Sequence, residues 1–280
     1  MNADLAARLS LLALLLHPVG AWPERAGLLA LAGVGLLSAR ALASTTLWLG
    51  VAALAAVRVL RDWPMSDNHA YLLVYWSLAL GLARVSAAPE ASLARNARLL
   101  LGLAFAFASL WKLGLSPDFL DGRFFRVSLV VDERLAPWGR WLAGVDRDSF
   151  DALRDALARH VDGPLPRPLE LPALPDGLAR AARLATAVTA ALEASLALAF
   201  LLPWRRLAAL RDGLLLVFCA GTYALAPVEG FGWLLVAMGV AQCDPARRGT
   251  RWLYLAAFVL IGLYATLPWD ALLAGASSRR

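Results

Sequence analysis

Leu99-Leu100-Leu101-Gly102-Leu103-Ala104-Phe105-Ala106-Phe107-Ala108-Ser109-Leu110-Trp111-Lys112-Leu113-Gly114-Leu115 is an apolar run in which Lys112 is the sole charge. At a rise of about 1.5 Å per residue, such a run approaches the roughly 30 Å of a bilayer's hydrocarbon core. It is not isolated. The 280-residue chain is 60% hydrophobic and only 17% charged. Its mean hydropathy is +0.62. Soluble domains of this size carry about 45–50% apolar and about 25% charged residues. The composition therefore excludes an ordinary globular enzyme, a disordered chain and a disulfide-stapled secreted scaffold. An all-α, polytopic integral membrane helix bundle is the fold class that remains.

Further apolar spans are expected near Leu5–Leu16, Ala26–Ser38, Ala41–Leu60, His69–Ala83, Leu178–Leu202, Leu207–Ala226, Phe231–Ala241 and Trp252–Trp269. The second is too short unless it reaches back toward Trp22. Seven to nine membrane segments follow, with Leu5–Leu16 readable as a first helix or a signal anchor. Arginines in short loops set the orientation, because such loops stay cytoplasmic. One alternating set of loops holds Arg40; Arg84, Arg95 and Arg98; Arg205 and Arg206; and Arg247, Arg248 and Arg251. The opposite set includes Pro227-Val228-Glu229, which has no basic residue, although the terminal Arg279-Arg280 pair argues the other way. His69 and Lys112 then lie at the outer ends of their spans. The net charge of +6 is explained by these loops rather than by nucleic acid, which is not expected as a partner.

The long connection, residues 116–177, reads as an outward-facing interfacial loop. Phe150, Leu153, Leu157 and Val161 recur at helical spacing behind Asp148, a reasonable N-cap. Pro164, Pro166, Pro168, Pro172 and Pro175 predict an extended connector. Trp138 and Trp141 beside Arg134 and Arg140 suit the headgroup level. The loop is either a plain interfacial cover or a lid and partner platform.

Three polar residues need a reason. Lys112 is the one lysine among 27 basic residues. At a span's rim a lysine can snorkel to water, but a desolvated lysine can also act as a general base, which an arginine cannot. His69 opens a span in Asp67-Asn68-His69-Ala70-Tyr71-Leu72, where Asp67 or Asn68 could cap the helix. Glu193 lies mid-span among Ala and Leu, so it is protonated, paired or facing a polar cavity. Tyr71, Tyr75, Trp76 and Tyr223 read as belt or packing aromatics, and Glu229 as a solvated carboxylate. Cys219 and Cys243 form no CxxC, and no HExxH occurs, so no metal is expected.

The segments Asn68-His69-Ala70-Tyr71-Leu72 and Trp111-Lys112-Leu113, with Phe119-Leu120-Asp121-Gly122 beyond, resemble the HTTM domain. This is the membrane portion shared with vitamin K-dependent gamma-carboxylases. Glu229-Gly230-Phe231 fits the same pattern loosely. The resemblance covers most of the chain and implies a single membrane domain over residues 1–280. It also implies chemistry on the outer face, with Lys112 deprotonating a reduced, vitamin K-like quinone and His69 assisting. In the carboxylases, oxygen then converts the quinone to an epoxide and the strong base formed drives glutamate carboxylation. Asn68, Tyr71, Trp111, Asp121 and Glu193 are the expected pocket residues.

There are departures from the family pattern. The large lumenal peptide-holding region has no counterpart here. Two extra residues precede Asp121-Gly122, Phe119 stands where a tryptophan is usual, and Cys219 lies near an expected histidine. Quinone binding or oxidation without full protein carboxylation is therefore expected, in a bacterial inner membrane with the site facing outward. The expected partners are the bilayer and either a membrane quinone or a secreted peptide or protein. The alternative is a non-enzymatic membrane partner for export or maturation of a secreted product. A transporter coupled through Glu193 ranks last, because no inverted repeat is visible.

Overall fold

In a computed structural model, residues 2–161, 174–225 and 228–267 are described. Among the described residues helix accounts for 83%, and no strand occurs. The protein is all-α. The apolar stretches all emerge as helices: α1 (Asn2–Leu16), α2 (Trp22–Leu37), α3 (Ala39–Leu42), α4 (Thr45–Arg61), α5 (Asn68–Arg84) and α6 (Pro89–Leu110). A π-turn (Trp111–Leu115) extends α6. Four helices follow within the long connection: α7 (Pro117–Leu120), α8 (Arg123–Val131), α9 (Ala136–Ala143) and α10 (Arg147–Val161). The rest are α11 (Asp176–Leu201), α12 (Arg205–Leu225), α13 (Glu229–Gln242) and α14 (Arg248–Ala265).

Among the described residues two helices are long and apolar enough to cross a membrane, Pro89–Leu115 with 27 residues and Asp176–Leu201 with 26. Length accounts for part of the gap between this and the seven to nine expected segments, since α12 and α14 do reach 21 and 18 residues. Helices α1, α2 and α13 have 15, 16 and 14 residues. A straight span needs about 20. The second stretch does reach back to Trp22, with Pro23 in its first turn where a missing N–H costs nothing. The third stretch does not run through; it breaks at Ala43-Ser44 into α3 and α4. Ser38 caps α3 by accepting from the Ala41 N–H at 3.3 Å.

The described residues divide into two compact units. One comprises Met1–Ala106, Ser195–Ala224 and Val228–Ala265. At its centre is α13, buried continuously from Gly232 to Ala241 and packed against α1, α5 and α14. Small residues along that helix let its neighbours approach closely. Buried tryptophans of this unit each find an acceptor, as an indole N–H away from water must. Trp48 donates to the Leu42 carbonyl at 2.9 Å, Trp76 to the Ser10 hydroxyl at 2.8 Å, and Trp233 to the Phe258 carbonyl at 2.8 Å. Cys219 and Cys243 are both buried free thiols.

The other unit forms around Phe107–Ala194. The apolar faces of α8, α9 and α10 and the start of α11 meet in a core of Leu129, Val130, Leu135, Ala136, Phe150, Leu157, Leu178 and Ala182. Phe150 and Leu157 are buried as their helical spacing predicts. Val161's side chain lies outside the described residues, as do Pro164, Pro166, Pro168, Pro172, Pro227, Arg279 and Arg280. The cap of α10 is Asp146, not Asp148. Its carboxylate accepts from the Ser149 N–H at 2.9 Å and the Ser149 hydroxyl at 2.6 Å. Those bonds hold the Asp146 carboxyl below the usual carboxylate range, and the Arg134 guanidinium does the same for Asp132.

Helices α8 and α9 touch backbone to backbone at Gly139. A Cβ there would penetrate the Leu129 carbonyl oxygen and press on the Phe150 ring. Gly139→Ala is therefore expected to destabilise this helical cluster by about 3 kcal/mol, the upper range for overpacking. Hydrogen exchange over α8–α10 reads the effect; unchanged protection there would refute the close approach.

Candidate functional site

The π-turn that ends α6 sets the geometry. Pro117 has no N–H to give the carbonyl four residues earlier, so the helix cannot continue past Ser116. The last turn widens over Trp111–Leu115 instead. Such bulges recur at functional positions because they redirect side chains. Here the turn carries Lys112.

Lys112 forms an ion pair with Glu193, its Nζ donating to Oε1. Glu193 sits in α11, inside the second of the two long apolar helices, and its side chain is 7% exposed against 23% for Lys112. Of the three ways a carboxylate inside an apolar helix can be accommodated, pairing is the one adopted. A second contact steadies the ammonium: Nζ lies 5.2 Å from the centroid of the Phe119 ring, a cation–π distance. Phe119 is buried and packs with Phe124 and Phe125, whose centroids both lie 5.8 Å away. The tight turn that brings these rings round is made by Gly122, at φ +79° in the left-handed region.

Not every hydrogen-bonding position is used. Glu193 Oε2 is buried with no hydrogen-bond partner among the described residues. So is the hydroxyl of Ser109, one helical turn before Lys112. An orphaned carboxylate oxygen in an apolar surround is costly, and it is a ready acceptor for a ligand hydroxyl. The arrangement can do one piece of chemistry directly. A proton can move along the Lys112 Nζ–Glu193 Oε1 bond, leaving a neutral amine beside a neutral acid.

Asp121 and Trp111 are placed differently. Asp121 accepts from the Arg123 N–H at 2.9 Å and from Arg123 Nε at 2.6 Å, while Arg123 also reaches Asp118 at 3.0 Å. That local clasp accounts for Asp121 as a turn residue. Trp111 is 62% exposed on the π-turn.

Asn68, His69 and Tyr71 belong to the first unit, at the start of α5. Asp67 is the N-cap by position but its side chain makes no capping bond. It lies 3.7 Å from His69 Nε2 instead. His69 is 23% exposed, Asn68 is exposed and Tyr71 half-buried. Trp76 and Tyr223 are packing residues, both buried, whereas Tyr75 is exposed.

Sequence reading missed two polar arrangements in this unit. Glu229 is not merely solvated: its carboxylate meets His17 Nδ1 at 3.1 Å. Asp212 Oδ1 accepts from Gln242 Nε2 at 2.6 Å and from the Tyr254 hydroxyl at 2.9 Å. A polar residue inside an apolar stretch was the available signal for both Asp212 and Gln242. Compared with known proteins, this chain matches no family model, no curated protein and no solved structure.

Proposed function

We propose that this chain is a multi-pass membrane protein of seven to nine segments, resembling the membrane domain of vitamin K-dependent gamma-carboxylases. In this reading it binds a reduced quinone at the outer face of a bacterial inner membrane and promotes its oxidation, with Lys112 as general base. One observation carries the proposal. The chain's single lysine is held against a buried glutamate whose second oxygen has no partner, beside the buried Phe119 ring.

The donor set fits such a ligand. Phe119, packed beneath the Lys112 ammonium, gives the site an aromatic wall, and Glu193 Oε2 and the Ser109 hydroxyl are polar atoms suited to a ligand's oxygens. A reduced quinone would supply an ionisable hydroxyl and two electrons, the electrons passing to molecular oxygen. Lys112 becomes a base when Glu193 takes the proton of their shared hydrogen bond. The freed amine lone pair then accepts the ligand's hydroxyl proton. Arginine at 112 could hold the ion pair but not this proton traffic. His69 is assigned an assisting role by the resemblance alone.

A second reading is favoured by the packed α8–α10 cluster with its own core. It makes the chain a non-catalytic membrane partner for export or maturation of a secreted product. Lys112→Arg would then be harmless and Gly139→Ala damaging. Mass spectrometry of lipids co-purified with the solubilised protein tests the first reading. A quinone enriched with the unaltered chain and depleted in Lys112→Arg and His69→Ala is expected. No enriched quinone in any sample would overturn it.

A further inference from the structure

A second cluster of charge lies at the corner between α11 and α12, within the first unit. Arg211 donates through Nε to the Ala199 carbonyl at 2.6 Å and through its terminal nitrogen to the Leu202 carbonyl at 3.2 Å. It thereby caps the C-terminal end of α11, where carbonyls lack helical partners. Gly102 of α6 abuts Phe200 and Leu201 at that same end. Arg98 precedes Gly102 by one helical turn, so it shares that face of α6.

The packing of Gly102 on Phe200 and Leu201 thus brings Arg98 to the same end of α11 that Arg211 caps. Asp212, the neighbouring carboxylate, offsets one of these charges while its Oδ1 accepts from Gln242 and Tyr254. Arg98 Nε is buried and has no hydrogen-bond partner among the described residues.

Position along the helices sets the depth. The apolar run of α6 begins at Leu99, and the long apolar helix α11 ends at Leu201. Trp204, 62% exposed at the corner, suits a membrane–water interface. Arg95 and Arg206 add exposed positive charge nearby in sequence. With Arg95 and Arg206 the corner carries more positive charge than Asp212 offsets, and Arg98 Nε is a buried unmet donor; together they call for an anion. Guanidinium forks match phosphate oxygens in geometry and charge.

We propose that Arg98 and Arg211 form a phosphate site that takes the headgroup of an anionic lipid. Arg98 is the phosphate ligand, and Arg211 ties that ligand to the end of α11. Lipid bound there would link the helix corner to membrane composition.

The inference rests on the membrane reading, which incorporation of the full chain into lipid nanodiscs tests first and separately. Native mass spectrometry then counts lipids retained from discs of phosphatidylcholine with and without phosphatidylglycerol. Retention of phosphatidylglycerol is expected to fall about tenfold in Arg98→Gln, to fall less in Arg98→Lys, and to hold in Arg40→Gln, an exposed control. Equal retention by the unaltered chain and Arg98→Gln would overturn the proposal, as would equal loss in Arg40→Gln. Inorganic phosphate is added as a competitor. Displacement of the lipid by millimolar phosphate would overturn the lipid assignment and make the ligand a free anion.

Discussion

Lys112→Met is expected to destabilise the protein by about 3 kcal/mol, and Lys112→Met/Glu193→Leu to recover most of that loss. The asymmetry follows from the burial of the pair. Removing the ammonium leaves the Glu193 carboxylate, 7% exposed, with both oxygens unpartnered. Breaking a buried pair on one side costs about 3–5 kcal/mol, and the partial exposure of Lys112 places this case at the lower end. Replacing both partners by apolar groups removes the desolvation penalty along with the attraction, so the double variant lies near the starting stability. Unfolding in detergent micelles for the four members of the cycle measures the coupling. Additive single effects would mean the two side chains do not interact, and the site would lose its physical basis.

The cycle also separates structure from chemistry. A double variant that folds well but has lost quinone binding would show that the ion pair is retained for function. Stability alone gives no reason to place a lysine and a glutamate inside two long apolar helices, since packed hydrophobic residues serve as well.

The long apolar helices were legible from hydropathy, because an apolar stretch bounded by charge has few alternatives to a helix, whereas α7 and α8 were not legible within the connection. Trp22-Pro23 marked the true start of α2 for the same local reason. The break between α3 and α4 was not legible, since Ala43 and Ser44 interrupt neither the apolar composition nor the charge pattern. Asp146 and Asp148 lie four and two residues before Phe150, the first buried position of α10, and sequence spacing alone could not choose between them.

At the site, Lys112 and Glu193 could each be singled out as costly, but not as a pair. They are 81 positions apart, and only the packing of α6 and α11 side by side matches them. Arg98 escaped notice because an arginine beside an apolar span is the ordinary mark of a cytoplasmic loop. Its buried Nε is visible only once the helices are assembled.

The second large effect belongs to Lys112→Arg, which keeps the charge and the partner but not a base. General-base catalysis contributes about 10²–10⁴-fold to a rate, so the variant should lose at least about a hundredfold in activity. Its stability should stay close to that of the unaltered chain. The measurement is oxygen-dependent oxidation of a reduced naphthoquinone by the detergent-solubilised protein, Lys112→Arg against the unaltered chain. Turnover by the unaltered chain is expected, with its collapse in a variant that still folds and retains the Glu193 pairing. Equal rates in the two proteins, or no oxidation by the unaltered chain above a protein-free control, would contradict it.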